Sequence, residues 1–344
     1  MRRVLLGSTG YMVSKTSFGA LPIQRISMEE ATRLLRRAYQ AGVNFFDTAH
    51  YYTDSEEKIG RALSDVRDDI VLATKSHFCP KDQMRKNIDQ SLRMMKTDRI
   101  DLFQIHQADR VYRPGDADGI YDLLLDAKAK GDILHIGVSV HSIEVAEACV
   151  ESGLFETLQY PFSVLSNERE IRLVQRCAEK NIGFIAMKAM AGGLIRDRRA
   201  TFAFLDRYPN VVPIYGVQRM EELEEWLALE ENPPAWDEAA RLAAEREREE
   251  LSGAFCRGCG YCLPCPAQIP INNAARIREL MTRAPYRPYL TAAWREQMRR
   301  VESCTGCGHC RTRCPYGLNP PALLREQLAW YDAFCSRHSD ELEK

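Results

Sequence analysis

The chain has 344 residues with 45% hydrophobic content, enough for one large domain of about 220–250 residues and a smaller one, each with a buried core. Lys and Arg number 47 against 48 Asp and Glu, and the resulting net charge of −1 excludes recruitment of nucleic acid or anionic membrane by bulk charge. No stretch approaches about 18 consecutive apolar residues, and Val4-Leu5-Leu6 is too short for a secretory core, so the expectation is a cytoplasmic protein with neither nucleic acid nor membrane as partner.

From residue 28 to about 230, helical patterns alternate with short apolar runs. "MEEATRLLRRAYQAG" leads into "VNFFD", "MRKNIDQSLRMMK" precedes "IDLFQIH", and "EREIRLVQRCAEKN" precedes "IGFIAMK". Helix followed by buried strand, repeated, predicts a parallel sheet. The strand ends fall at Asp47, Lys75, His106, Ser139, Gln159, Lys188 and Gly216, with steps of 28, 31, 33, 20, 29 and 28 residues. Steps near thirty residues are single βα units, and "SKTSFGALP" supplies one more strand before the first helix, so the fold class is α/β, a (β/α)₈ TIM barrel. A doubly wound open sheet is the alternative, but no Gly-rich phosphate loop follows the first strand. After "EENPP", the charged segment "AWDEAARLAAEREREELSG" predicts a solvated helix leading to a cysteine-rich part. The expected division is a barrel over 1–230, a helical connector over 231–251, a small α-helical domain over 252–334 and a polar, frayed tail over 335–344. Within the small domain, "INNAARIRELMTRA" and "TAAWREQMRRVES" predict helices.

Nine of the twelve cysteines follow residue 250, and eight of those form two runs, which favours metal ligation over disulfides. Cys79, Cys149, Cys177 and Cys335 stand alone and read as ordinary thiols. "CRGCGYCLPCP" contributes Cys256, Cys259, Cys262 and Cys265, and "CTGCGHCRTRCP" contributes Cys304, Cys307, Cys310 and Cys314. A cubane needs four thiolates, and two-residue spacers let three sulfurs curl around one cluster while the fourth points away. Glycines 258, 260, 306 and 308 permit that turning. Two Cys₄ zinc sites are the rival, but they leave the paired Cys-Pro endings unexplained. Over roughly residues 250–320 the domain resembles the two-cluster bacterial-type ferredoxins. The resemblance implies two [4Fe–4S] clusters, one on Cys256, Cys259, Cys262 and Cys314 and the other on Cys265, Cys304, Cys307 and Cys310.

In the barrel, Asp47, Lys75 and His106 end strands, and Tyr52 lies in the loop after Asp47. All four are expected on the rim where barrels do chemistry. Each alone has an ordinary structural reading; together they form a proton-transfer unit. Lys75, held by Asp47, is expected to lower the Tyr52 pKa so that the phenol can protonate a carbonyl oxygen while His106 orients the substrate.

Over about residues 1–225 the chain resembles the aldo-keto reductases. The resemblance rests on "LGSTGYMVSKTSFGA", "GVNFFDTAHYY" with Ser55-Glu56, "ATKSH", "QSLRMMKTDRIDLFQIH" and "GVSVHS". It implies Asp47, Tyr52, Lys75 and His106 as a catalytic tetrad and NADPH or NADH as hydride donor to a small carbonyl substrate. It also implies that Ser139 and Gln159 hold the nicotinamide carboxamide, and that Gly19, Lys188, Met190, Gly216 and Arg219 line the dinucleotide. The two-part arrangement resembles the iron–sulfur-containing branch of that family. The sequence departs from the family pattern at Val140 and Met187, and "YGVQRMEELEEW" keeps only Arg219 as a cation, with Trp226 replacing an Asn, so the adenosine-phosphate site is atypical.

These features imply a carbonyl reductase whose clusters are structural, regulatory or a second electron port. The alternative is a ferredoxin-linked oxidoreductase, in which ferredoxin or another one-electron carrier feeds a flavin in the barrel, since a cubane moves one electron and nicotinamide moves a hydride. A non-enzymatic redox sensor is the third reading, against which the intact tetrad speaks. A Schiff-base aldolase on Lys75 or Lys188 is disfavoured, because Asp47 would keep Lys75 charged.

Overall fold

A computed structural model describes residues 1–251, 255–283, 286–314 and 316–342. The chain forms two compact units, Met1–Ala189 with Arg199–Arg241, and Met190–Arg198 with Leu242–Lys344.

The first unit is a closed barrel of parallel strands in the order β10-β3-β4-β5-β6-β7-β8-β9. These strands are β3 (Ser17–Gly19), β4 (Phe45–Asp47), β5 (Val71–His77), β6 (Ile100–His106), β7 (Ile133–Ser139), β8 (Thr157–Pro161), β9 (Gly183–Met187) and β10 (Val211–Gly216). Helices α1 (Met28–Gln40), α2 (Ser55–Leu63), α3 (Lys81–Met94), α4 (Ile120–Lys130), α5 (Ile143–Ser152), α6 (Glu168–Glu179), α7 (Arg198–Asp206) and α8 (Met220–Glu231) alternate with them. The helices start where capping chemistry permits. Glu30 N–H donates to Ser27 Oγ at 3.2 Å and Ser27 N–H returns to Glu30 at 2.9 Å, closing a capping box on α1. Ala31, Leu34, Leu35 and Ala38 then bury one face of that helix at i, i+3, i+4 and i+7. The predicted strand ends Asp47, His106, Ser139 and Gly216 are the last residues of β4, β6, β7 and β10, while Lys75 and Gln159 lie two residues inside β5 and β8. Lys188 directly follows β9.

An antiparallel hairpin, β1 (Arg3–Leu5) with β2 (Met12–Ser14), precedes the barrel and is not among the predicted elements. Its three-residue strands are too short to display an alternation. Leu6 and Val13 join Phe45, Val71, Leu102, Ile185 and Val212 in one buried cluster toward the N-terminal ends of the strands. Gly7 has φ +54°, and a Cβ there would meet the Gly183 backbone nitrogen at 2.1 Å, so only glycine admits this approach to β9.

The second unit contains most of α9 (Glu238–Glu250), then α10 (Ile271–Ala274), α11 (Ile277–Arg283), α12 (Ala292–Arg299), α13 (His309–Thr312) and α14 (Pro320–Arg337). Its core comprises Ile269, Ile271, Ala274, Ile277, Met281, Leu290, Met298, Val301, Leu324 and Tyr331, packed with Cys262, Cys310 and Cys335. Two expectations are corrected here. The helix expected over the connector forms as α9 and is mostly exposed, but it is not wholly solvated: Ala243, Ala244 and Glu247 are buried, and Glu247 accepts from the Arg196 backbone at 2.8 Å and pairs with Arg283 at 2.7 Å. The tail does not fray from residue 335: α14 continues through the buried Cys335 to Arg337, His338 stacks on Phe334 at 4.1 Å, and Glu341 accepts from the Tyr286 hydroxyl at 3.0 Å. The predicted domain start at 252 and the proline of the second Cys-Pro ending, Pro315, lie outside the described residues. Among the described residues no helix is long and apolar enough to cross a membrane.

Leu6 is fully buried. Leu6→Ala should therefore lower the stability of the barrel by about 3 kcal/mol, read as an earlier urea midpoint in far-UV circular dichroism.

Candidate functional site

Barrel closure brings the four predicted catalytic side chains to one rim. Lys75 Nζ donates to Asp47 Oδ2 at 2.6 Å and to the Thr48 carbonyl at 2.6 Å, and both side chains are buried. Gln104 Nε2 donates to Asp47 Oδ1 at 3.1 Å, and Gln159 Nε2 to Oδ2 at 3.4 Å. Those amides complete the hydrogen bonding that a buried ion pair requires. Lys75 Nζ stands 5.6 Å from the Tyr52 ring centroid. The His106 ring meets Tyr52 edge-on at 5.9 Å and stacks on His77 at 4.2 Å.

Burial is the largest influence on the ion pair, pulling Asp47 up and Lys75 down, with the partner's charge opposing it in each case. His106 is buried, and its pKa is held well below 6.5, first by burial and then by Lys75, His77, His141 and Lys188. It is a neutral imidazole at physiological pH. The expected lowering of the Tyr52 pKa is not found: burial and then the Asp47 carboxylate raise it above 10. A lysine already paired with a carboxylate projects little net field, so desolvation of the phenolate prevails. Tyr52 therefore rests as the protonated phenol, the form an acid must take.

His77, His141 and Gln104 also contribute to this rim and were not singled out from the sequence. The signal was a period of two: His77 follows Lys75 by two positions and Gln104 precedes His106 by two, placing each pair on one strand face. Glu56 is buried behind them, accepting from Thr74 Oγ1 at 2.6 Å.

The predicted dinucleotide contacts divide into a fitting and a non-fitting half. Ser139 is buried at the end of β7, where its Oγ accepts from Gln107 N–H at 3.0 Å and keeps its own hydrogen to donate. Gln159 Oε1 is buried with no hydrogen-bond partner among the described residues. A donor hydroxyl and an orphan acceptor on adjacent strands suit a carboxamide. Val140, buried beside them, offers no side-chain polar group. Gly19 and Gly216 pair across β3 and β10, Lys188 has φ +57°, and Met190 belongs with the second unit. At the start of α8, Arg219 pairs with Glu222 at 2.7 Å, and Glu222 also accepts the backbone N–H groups of Gln218 and Arg219 at 3.0 and 3.2 Å. The donors that would meet a phosphate already serve a carboxylate. Trp226 is buried against Tyr215 with the rings 3.8 Å apart.

In the second unit the eight clustered cysteines line two pockets. One takes Cys256, Cys259, Cys262 and Cys314; the other takes Cys265, Cys304, Cys307 and Cys310, with Cys262 between the two. This grouping is the crossed one that the resemblance to two-cluster ferredoxins implies, and four cysteines around each pocket fit a cage-shaped cluster. Of the isolated cysteines, Cys149 and Cys177 are buried with thiols pushed up to about 12, hence unreactive.

Residues 15–204, more than half of the chain, match the aldo/keto reductase family, and residues 255–319 match the 4Fe-4S dicluster domain. L-galactose dehydrogenase from Arabidopsis thaliana is 27% identical over 216 residues, covering 56% of this chain and 66% of that protein. 6-dehydroglucose reductase from Novosphingobium aromaticivorans is 34% identical over 154 residues, covering 39% and 50%. The chain thus spans half to just under two thirds of the length of these relatives. A solved aldo-keto reductase from Bacillus halodurans, in its holo form, aligns with a TM-score of 0.63 at 20% identity over 72% of this chain and 96% of that one, a likeness of fold.

His106 and His141 both have folded pKa values held well below 6.5, whereas in the unfolded chain they titrate near 6.5. The unfolded state therefore binds more protons below that pH, and stability falls as pH drops below about 6.5. In urea titrations between pH 5 and 7, His141→Asn should flatten this slope by up to about 1.4 kcal/mol per pH unit.

Proposed function

The chain belongs to the aldo/keto reductase family, and from that premise we propose that it interconverts a carbonyl and an alcohol with a nicotinamide dinucleotide at the barrel rim. We further propose that two [4Fe–4S] clusters in the second unit exchange single electrons. The observation that carries the barrel reading is the buried Lys75–Asp47 pair beneath Tyr52 and His106. When bound, the dinucleotide supplies the hydride. The rest of the chemistry belongs to this chain. Tyr52, protonated at rest, donates its phenolic proton to the carbonyl oxygen during reduction and recovers it in the reverse direction. Lys75, anchored by Asp47 and the Thr48 carbonyl, keeps a positive charge beside the phenol as negative charge develops there. His106, neutral and stacked on His77, orients the carbonyl without competing as an acid. Ser139 and Gln159 Oε1 hold the carboxamide.

The start of α8 favours NADH over NADPH, because Glu222 engages Arg219 and two backbone N–H groups where a 2′-phosphate would need free donors. It would repel a further negative group. The cubane pockets favour a one-electron carrier such as a ferredoxin as redox partner.

Tyr52→Phe should lower kcat for NADH-dependent reduction of an aromatic aldehyde by about 10²–10⁴-fold while leaving NADH binding, followed by fluorescence, unchanged. An unaltered kcat would remove Tyr52 from the role and the reading with it.

A further inference from the structure

The two cysteine sets are chemically unequal, and one residue makes them so. Arg276, between α10 and α11, is held by contacts inside the second unit. Its Nε donates to the Asn272 carbonyl at 3.0 Å, and the same carbonyl lies 4.0 Å from Cys256 Sγ. The guanidinium lies against Gly258, in the turn between Cys256 and Cys259: a Cβ at that glycine would meet Arg276 Cζ at 2.6 Å and Nη2 at 2.8 Å. Gly258 has φ +67°, and its N–H donates to Cys256 Sγ at 3.4 Å. On its other side the guanidinium approaches Gly192, where a Cβ would stand 3.1 Å from Nη1. Gly192 lies in Met190–Arg198, the segment that begins two residues after Lys188 and belongs with the cysteine unit.

These contacts seat a guanidinium beside the turn that joins Cys256 to Cys259. The other set is Cys265, Cys304, Cys307 and Cys310. The cations adjacent in sequence there, Arg311 and Arg313, are exposed, where solvent screens them. Cys304 and Cys307 are themselves exposed, whereas Cys262 is buried and Cys256 and Cys259 are partly so. A guanidinium keeps its charge at every working pH, so its influence is constant.

We propose that Arg276 sets the electron's resting place: its charge beside Cys256 stabilises the reduced form of the cluster held by Cys256, Cys259, Cys262 and Cys314, giving it the higher reduction potential of the two. One electron, supplied by an external one-electron donor, enters through the outward cluster at Cys304 and Cys307 and settles on the Arg276 side. No bond forms or breaks and no proton moves; the cluster's charge falls by one beside a fixed cation. The inference rests on the two-cluster reading given above.

The test is a dithionite titration of the anaerobically purified, cluster-loaded chain, followed by electron paramagnetic resonance with redox mediators. Wild type should show two separate one-electron midpoints. Arg276→Gln should disfavour reduction at the higher one by about tenfold, equivalent to 59 mV for one electron, and leave the lower unchanged. Arg276→Lys should largely retain the wild-type value. Gly192→Asp, at an exposed position whose φ of +72° aspartate tolerates, brings a carboxylate to the guanidinium and should shift the same midpoint in the same direction. If Arg276→Gln loses a cluster, Gly192→Asp decides. Unchanged midpoints in cluster-complete variants would overturn the proposal. Fewer than two clusters in wild type, by iron and sulfide analysis, would overturn the two-cluster reading instead.

Discussion

Everything at the barrel rim is arranged around one buried ion pair. Lys75 and Asp47 come from neighbouring strands and meet at 2.6 Å with almost no solvent. Such a pair persists only if its remaining donors and acceptors are satisfied, since removing one partner of a buried pair costs about 3–5 kcal/mol. Thr48, Gln104 and Gln159 satisfy them from the turn that follows β4, from β6 and from β8. The pair thus ties together strands that are distant in sequence, at the end of the barrel where chain reversals leave room for a ligand.

Its consequences spread outward. Burial first and the Asp47 carboxylate second leave Tyr52 a phenol, with Lys75 Nζ 5.6 Å from its ring centroid. Burial first, and then Lys75, His77, His141 and Lys188, keep His106 uncharged. The rim therefore holds one protonated phenol and one neutral imidazole, each state set by desolvation first and by neighbouring charge second.

The second unit solves a different problem. Between α9 and α14 its helices are short, its aliphatic core is modest, and Cys262 and Cys310 are part of that core. The clustered cysteines and the hydrophobic packing are consequently inseparable. Buried ionic contacts support this unit too: Glu247 and Arg283 pair with little exposure, and Glu247 also accepts the backbone of Arg196.

How much was legible follows from the range over which each signal acts. Parallel strands buried on both faces are apolar runs, and a polar residue ending such a run is visible, so Asp47, His106, Ser139 and the constant βα spacing were readable from the chain alone. The cysteine spacing likewise carries its own geometry, because three sulfurs two residues apart must curl around one centre. Tertiary structure alone decided what depends on groups remote in sequence. The hairpin beneath the barrel is too short to show a period, and Leu6 becomes core only when the strands close over it. The burial of Glu247 in α9 depends on Arg196 and Arg283, 51 and 36 residues away. The direction of the Tyr52 pKa, the capture of Arg219 by Glu222 and the seat of Arg276 between two glycines all turn on desolvation and on distances of a few ångströms. Local pattern reports which residues face inward; only closure of the fold determines what they meet there.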